Sequence, residues 1–217
     1  MLKVVSLPKK IAITASLCLG LSLAGGSLTG AKAALSPVPE TSVQSFYATL
    51  LTTMKSGPSL GESGRYAHLA PIVQQLFNVP FMAQLAVGPS WASLSPAQQQ
   101  QIITAFGHYI AATYANRFDS YSGEQLQVLG ERPLSYGTIV HTRIVQSDGQ
   151  PVTINYLMRR NGGTWQITDI YLDGTISQLA VQRSEFDSIL QNQGVNGLID
   201  TLNRKVDLLT SNASSSS

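Results

Sequence analysis

Charge is what this 217-residue chain has least of: 12% of its residues are Asp, Glu, Lys or Arg, about half the fraction of an ordinary soluble domain. The cations that exist do not form a basic surface. Four of the fourteen, Lys3, Lys9, Lys10 and Lys32, precede position 34, and the remainder carries ten cations against twelve acids. A surface that grips nucleic-acid phosphates is thereby excluded, and a composition 43% hydrophobic excludes a disordered chain. Cysteine is nearly missing too. The one residue, Cys18, lies in the N-terminal apolar segment behind Leu17, where a lipoprotein signal wants a small side chain. Beyond position 33 there is none, which rules out disulfides, thiolate metal ligands and thiol catalysis in that part of the chain. No Gly-x-Ser-x-Gly elbow, glycine-rich phosphate loop or internal repeat occurs. His68, His108 and His141 have no histidine or acid at ligand spacing, which argues against a metal site, and nothing in the sequence calls for a cofactor.

What the first 33 residues do contain is an export signature. Three lysines precede an apolar run from Ile11 to Ala24, and Gly25, Gly26, Ser27 and the triplet Ala31-Lys32-Ala33 follow it. The run is shorter than the ~20 residues a bilayer-spanning helix needs, so the expectation is a signal peptide over 1–33, cleaved after Ala33, and an exported protein. The remaining length makes one domain over 34–209, with a Pro-rich leader at 34–40 and a disordered polar tail at 210–217.

Within that domain helical periodicity comes first. Val43, Phe46, Tyr47, Leu50, Leu51 and Met54 predict an amphipathic helix over 41–55, ended by Ser56-Gly57-Pro58. Further helices are predicted over 64–77 and 81–87, the latter closed by Gly88-Pro89. Ser95-Pro96-Ala97-Gln98 gives an N-cap hydroxyl, a first-turn proline and a Gln able to complete a capping box. That helix runs through Ile102, Ile103, Phe106, Ile110 and Tyr114 to Ser122-Gly123. The period then drops to two: strands are predicted over 125–130, 138–146, 152–159 and 165–172, with turns at Asp148-Gly149 and Asn161-Gly162-Gly163. Two helices follow, over 177–192 and 196–209, separated at Gly194. Helices, then an antiparallel meander, then helices again place the chain in the α+β class, with one sheet wrapped by helices.

The polar candidates are few. Asp169 stands on an otherwise apolar strand, where it can share a pocket with His141 or Tyr156 for proton transfer, or simply cap a neighbouring backbone group or bulge. Phe81, Phe106, Ile110, Ile154 and Tyr156 lie on apolar stripes that serve equally as core or as the wall of a cavity.

Several stretches resemble the MlaC/toluene-tolerance family of periplasmic lipid carriers, which work with ABC transporters that contain an MCE protein. They are Ile72-Val73-Gln74-Gln75-Leu76-Phe77-Asn78-Val79-Pro80-Phe81 with Leu85-Ala86-Val87-Gly88 and Trp91, then Ser95-Pro96-Ala97-Gln98 with Phe106 and Tyr114, then Tyr121-Ser122-Gly123. Pro151 to Tyr156, Trp165 to Ile170, Arg183 with Phe186, and Gly194-Val195-Asn196-Gly197-Leu198 continue the series, which covers about 43–206. The resemblance implies an NTF2-like fold, a four-stranded antiparallel meander and helices around an apolar cavity for lipid. It also implies that Phe81, Leu85, Ile103, Phe106, Ile110, Val140, Ile154, Tyr156, Met158 and Ile167 line that cavity. The implied partners are a membrane lipid, an MCE-type ABC transporter or another inner-membrane lipid transporter, and an outer-membrane acceptor or donor. Asp173 to Ala180 carries one residue more before its serine than the family commonly has, as in the hopanoid-associated HpnM branch, so the implied cargo is either a phospholipid or a hopanoid. A secreted NTF2-like enzyme using Asp169 and His141, and a lipid-independent envelope adaptor, are the alternative functions.

Overall fold

A computed structural model of the chain describes residues 38–211. The expected signal segment and the last residues of the polar tail lie outside the described residues. The elements run α1 (Pro39–Lys55), α2 (Gly57–Leu76), α3 (Val79–Val87), a 3-10 helix (Gly88–Ser93), α4 (Pro96–Arg117), β1 (Gln125–Leu134), β2 (Gly137–Val145), β3 (Pro151–Asn161), β4 (Thr164–Leu172), β5 (Ile176–Ser177) and α5 (Gln178–Ser211).

Local chemistry accounts for most of these limits. The capping box at α4 forms as expected: the Gln98 N–H donates to the Ser95 hydroxyl, and the Ser95 N–H donates to the Gln98 side chain. Asn78 caps α3 by accepting from the Phe81 N–H, and Gly88, at φ 67°, turns the chain out of that helix. Other limits differ from the sequence reading, each for an identifiable reason. α1 starts at Pro39, inside the expected leader, because a proline fits the first helical turn without losing a bond. α2 starts at Gly57 rather than 64, but Gly61 (φ 63°, ψ −176°) breaks it after one turn, so the apolar periodicity is visible only beyond the break. β1 continues to Leu134, past a bulge between Val128 and Gly130 that resets which face the following residues occupy and hides the alternation. α5 reaches Ser211, two residues into the expected tail. Its break at Gly194 (φ 69°, ψ −169°) matches the expected separation of two helices.

The sheet is antiparallel throughout with the order β1-β2-β3-β4-β5, the short β5 adding a fifth strand to the expected four. Register decides what faces inward. Val140 pairs with Tyr156, Thr138 with Met158, and Tyr156 with Ile170, all on the face against the helices. On β4, Asp169 pairs with Leu157 while Ile167 pairs with Met158, so Thr168 is the extra residue of a bulge. The bulge brings Ile167 and Ile170 onto the same inner face although they are three residues apart. At the free edge of β4, Phe77 forms a parallel bridge with Ile167 and the Asn78 N–H donates to the Ile167 carbonyl at 2.8 Å. That contact fixes the start of α3 to the sheet.

The helical layer is tied together by a buried cation. Arg65 on α2 donates from Nε to the Ala115 carbonyl of α4 at 2.8 Å and from Nη1 to the Gly57 carbonyl at 3.1 Å. The guanidinium therefore satisfies the Ala115 carbonyl, which no intrahelical N–H reaches at the end of α4, and ties it to the start of α2. Close approach there demands glycine: a Cβ on Gly57 would lie 1.9 Å from the Asp119 carbonyl oxygen. Gly57→Ala is expected to lower unfolding stability by about 1–3 kcal/mol through this overlap. Gly163→Ala, in a turn where a Cβ meets nothing within 4 Å, is expected to stay within about 0.5 kcal/mol of the parent in the same denaturant titration.

Candidate functional site

Between the sheet and the helices lies one apolar interior. The sheet contributes Val140, Tyr156, Met158 and Ile167, all fully buried. α1 brings Phe46, Tyr47 and Leu50, α2 brings Ile72, Val73 and Leu76, and α4 brings Ile102, Phe106, Ile110 and Tyr114. α3 and α5 close it with Met82, Ala83, Ala86, Leu179, Phe186 and Leu198. Its centre is aromatic. Phe46 meets Tyr114 edge-on at 5.1 Å between ring centroids, Phe77 at 5.7 Å and Tyr156 at 6.3 Å. Phe106 meets Phe186 at 5.3 Å in a second contact. Such edge-to-face pairs add about 0.5–1.5 kcal/mol each beyond the area they bury.

Hydroxyls inside this apolar volume are the polar exception. The Tyr47 and Thr142 hydroxyls lie 2.6 Å apart, and the Thr142 hydroxyl also bonds the Ile154 carbonyl. A carbonyl only accepts, so Thr142 donates its single proton there and the Tyr47 hydroxyl must donate to Thr142. Tyr156, fully buried, makes no hydrogen bond through its hydroxyl. The Tyr47 and Tyr114 hydroxyls face it as its two polar neighbours, at the margin of hydrogen-bonding geometry. Burial pushes all three phenols above the ordinary tyrosine value, Tyr156 furthest. They are therefore protonated at neutral pH.

The residues that the sequence nominated as a cavity wall separate into three groups. Phe106, Ile110, Val140, Tyr156, Met158 and Ile167 come together in the interior. Ile103 and Ile154 are half-buried against its margin, and on α4 it is Ile102 that is fully withdrawn. Phe81 and Leu85 stand apart from the centre. Phe81 lies under the Arg159 guanidinium, 5.1 Å from its ring centroid, with the Tyr136 ring 5.2 Å away on the same cation, and Leu85 is 38% exposed. Phe46, Phe77 and Tyr114 were left out of the nominated wall although they occupy its middle. The helical spacing of Val43, Phe46, Tyr47 and Leu50 was the available signal for the first of them.

Asp169 and His141 lie on the other face of the sheet from Tyr156. The Asp169 carboxylate accepts from the Ile170 N–H at 2.7 Å, the Leu179 N–H at 3.0 Å and the Ser177 hydroxyl at 2.6 Å. It thus anchors the β4–β5 turn and the start of α5 beside the β4 bulge, which is the capping role. His141 is half-buried and pairs across the sheet with Asn155. The Asp173–Ala180 segment is placed by the same anchor: Asp173 (φ 49°) and Gly174 (φ 78°) make the turn, and Ser177 and Leu179 hold Asp169. Two open depressions of about 440 and 430 Å³ lie elsewhere, lined by polar residues such as Gln100, Gln101 and Asn203 on α4 and α5 or Gln193, Asp200 and Asp207 on α5. Among the described residues no three His, Cys, Asp or Glu side chains stand close enough to share a metal ion.

The family model described as MlaC protein matches residues 44–204, most of the chain and every element of the interior just described. The chain belongs to the MlaC family. A solved phospholipid-binding protein from Ralstonia solanacearum, determined in complex with a phospholipid, shares the fold at a TM-score of 0.66. The likeness covers 78% of this chain and 97% of that one at 22% identity. The MlaC assignment supports a lipid-binding carrier rather than an enzyme. No described helix is long and apolar enough to cross a membrane. With both carboxylate oxygens of Asp169 engaged, Asp169→Asn keeps one acceptor for the Ile170 and Leu179 N–H groups and sets an NH2 group against the Ser177 hydroxyl in place of the other. It is expected to cost about 1–3 kcal/mol in thermal or denaturant unfolding, with lipid occupancy, read on the same preparation, close to that of the parent.

Proposed function

We propose that this protein is a periplasmic carrier that takes one membrane lipid into its apolar interior and moves it through water between membrane-bound partners. The observation that carries the reading is the interior itself: a sheet face and five helices present a continuous apolar wall, in a member of the MlaC family, with the buried Asp169 carboxylate spent on the opposite face. The physical need for such a wall is large. Two acyl chains of about sixteen carbons expose some 30 methylenes at ~0.8 kcal/mol each, on the order of 25 kcal/mol in water. A wall of Leu, Ile, Val, Phe and Met removes that cost without a nucleophile, metal or cofactor.

Cargo enters as the helical layer parts from the sheet, and α3 is the moving part. It is a nine-residue helix between Asn78 and the positive-φ Gly88. Its outward contact to the sheet is the Phe81–Arg159–Tyr136 stack, worth about 0.5–1 kcal/mol per cation–π contact near the surface. Opening also parts Met82, Ala83 and Ala86 from the interior, and the guest's own apolar surface replaces those contacts. Phe81, Leu85 and Ile103 then join Phe106, Ile110, Val140, Ile154, Tyr156, Met158 and Ile167 around the guest. The donor and acceptor sides are an MCE-type ABC transporter or another inner-membrane lipid transporter and an outer-membrane component. The N-terminal segment directs export and is cleaved after Ala33. The longer Asp173–Ala180 turn, the point of departure from the general family pattern, favours a hopanoid over a diacyl phospholipid.

The test is capture from mixed vesicles of phosphatidylglycerol, phosphatidylethanolamine and a hopanoid, by the parent and by Ile154→Asp. An unpaired carboxylate at the margin of the wall costs several kcal/mol against an apolar guest, whereas half-buried Ile154 leaves the closed fold a route to hydrate it. The parent is expected to capture lipid, hopanoid foremost, and the folded variant to lose it. Phospholipid capture equal to or above hopanoid capture removes the hopanoid assignment. A folded Ile154→Asp that holds lipid like the parent contradicts the assignment of the wall.

A further inference from the structure

From Tyr66 to Asn116 the chain holds no Asp, Glu, Lys or Arg. That stretch supplies the second half of α2, all of α3 and the 3-10 helix, and all but the last residue of α4. The outer side of α3 is consequently uncharged, and Leu85, one turn on from Phe81, is exposed on it. Charge resumes at the end of the sheet that α3 adjoins, and there it has one sign. The β1–β2 and β3–β4 turns lie at this end, and with them Arg132, Arg159 and Arg160. Between Arg132 and Arg160 the only acid is Asp148, in the β2–β3 turn at the opposite end, where its carboxylate accepts from the Gln150 N–H. Glu131, beside Arg132, accepts from the Glu40 N–H of α1, and Asp169 on β4 spends both oxygens on Ile170, Leu179 and Ser177. None of the three arginines makes an ion pair or a hydrogen bond; the ion pairs among the described residues are Glu62–Arg65 and Glu185–Lys205. Two of the guanidinium groups lie against rings instead: Arg159 between Phe81 and Tyr136, and Arg160 over Trp165 at 5.1 Å. Tyr136 is 53% exposed, and Arg159 Nε is withdrawn from water with no acceptor.

We propose that this end of the sheet, together with the outer side of α3, is a docking surface for an anionic phospholipid bilayer. Guanidinium groups without carboxylate partners match phosphate oxygens in charge and in the geometry of their donors. Tyrosine and tryptophan rings settle at the level of the headgroups, and an uncharged helix face beside them meets no penalty there. Arg159 and Arg160 are adjacent on β3 and point to opposite faces of the sheet. Phosphates that diffuse in the plane of a bilayer can meet both, which one fixed acidic side chain of a protein partner cannot. Docking in this way turns α3, the helix that parts from the sheet, toward the membrane. A site of exchange is thereby added to the carrier reading, and it can fail while that reading stands.

The test is flotation of the protein with vesicles of phosphatidylcholine alone and of phosphatidylcholine with phosphatidylglycerol. An arginine at an anionic membrane surface contributes roughly fivefold to binding. The parent is therefore expected to favour the anionic vesicles by on the order of a hundredfold at low salt, and by less as salt is raised. Arg132→Glu with Arg160→Glu, both exposed, is expected to abolish the preference; Arg132→Gln with Arg160→Gln takes its place if the reversed pair does not fold. Arg143→Glu with Arg204→Glu changes the net charge by the same amount at exposed positions away from this end and is expected to keep the preference. A parent that binds both vesicles alike overturns the proposal. So does a substituted Arg132–Arg160 pair that keeps the preference, or an Arg143–Arg204 pair that loses it equally. A parent that floats with neither vesicle but still captures their lipid gives this surface to a protein partner, which overturns the proposal and leaves the carrier reading standing.

Discussion

Val140, Tyr156, Met158 and Ile167 sit on one face of the sheet with no exposure to water, and an apolar face of that extent must be covered by something. The other elements can be understood as ways of covering it. α1, α2 and α4 lie across it with their own apolar stripes, α3 is fixed to its edge by the Phe77–Ile167 bridge, and α5 shuts the side that β4 leaves open. The polar bonds that hold this arrangement are placed away from the interior. Arg65 joins helix ends, and Asp169 joins the sheet to α5 from the opposite face. A polar line from Tyr47 through Thr142 to Ile154 runs along the inner wall itself, beside the Tyr156 hydroxyl.

A wall of this composition has two uses that physics does not separate. Side chains can fill it, as they do in any core at close-packed density, or a guest can replace part of that filling with apolar surface of its own. What separates the uses is how strongly the layers are joined. Here the helical layer meets the inner sheet face mostly through apolar contact, which is non-directional and re-forms around a different shape. The long-range polar ties spare α3: Asn78 fixes its base, and its outer side rests on the Arg159 stack. A lipid carrier needs that division between a frame tied by polar bonds and a helix held by apolar contact.

Much of this was legible in the sequence, and for physical reasons. The capping box at Ser95, the turn glycines and the change from helical to alternating periodicity are local signals, and local signals set the element order. The capping role of Asp169 was legible as one of two options, because an acid on an apolar strand has few other ways to be satisfied. What escaped notice depends on register. The bulge at Thr168 decides that Ile167 and Ile170 share a face, and the bulge at Leu129 hides the end of β1, since an inserted residue changes the face without changing the composition. Periodicity could nominate Ile103 but not choose Ile102 over it. The aromatic centre of Phe46, Phe77 and Tyr114 is assembled from parts far apart in the chain, and although helical spacing marks Phe46 as buried, no spacing announces that the three meet.

The most direct test of the carrier account is organic extraction of the purified exported protein followed by mass spectrometry of the extract. The account predicts membrane lipid in an amount comparable to the protein, released only when the fold is disrupted. An extract with no lipid beyond that of an unrelated exported protein purified in parallel would contradict it.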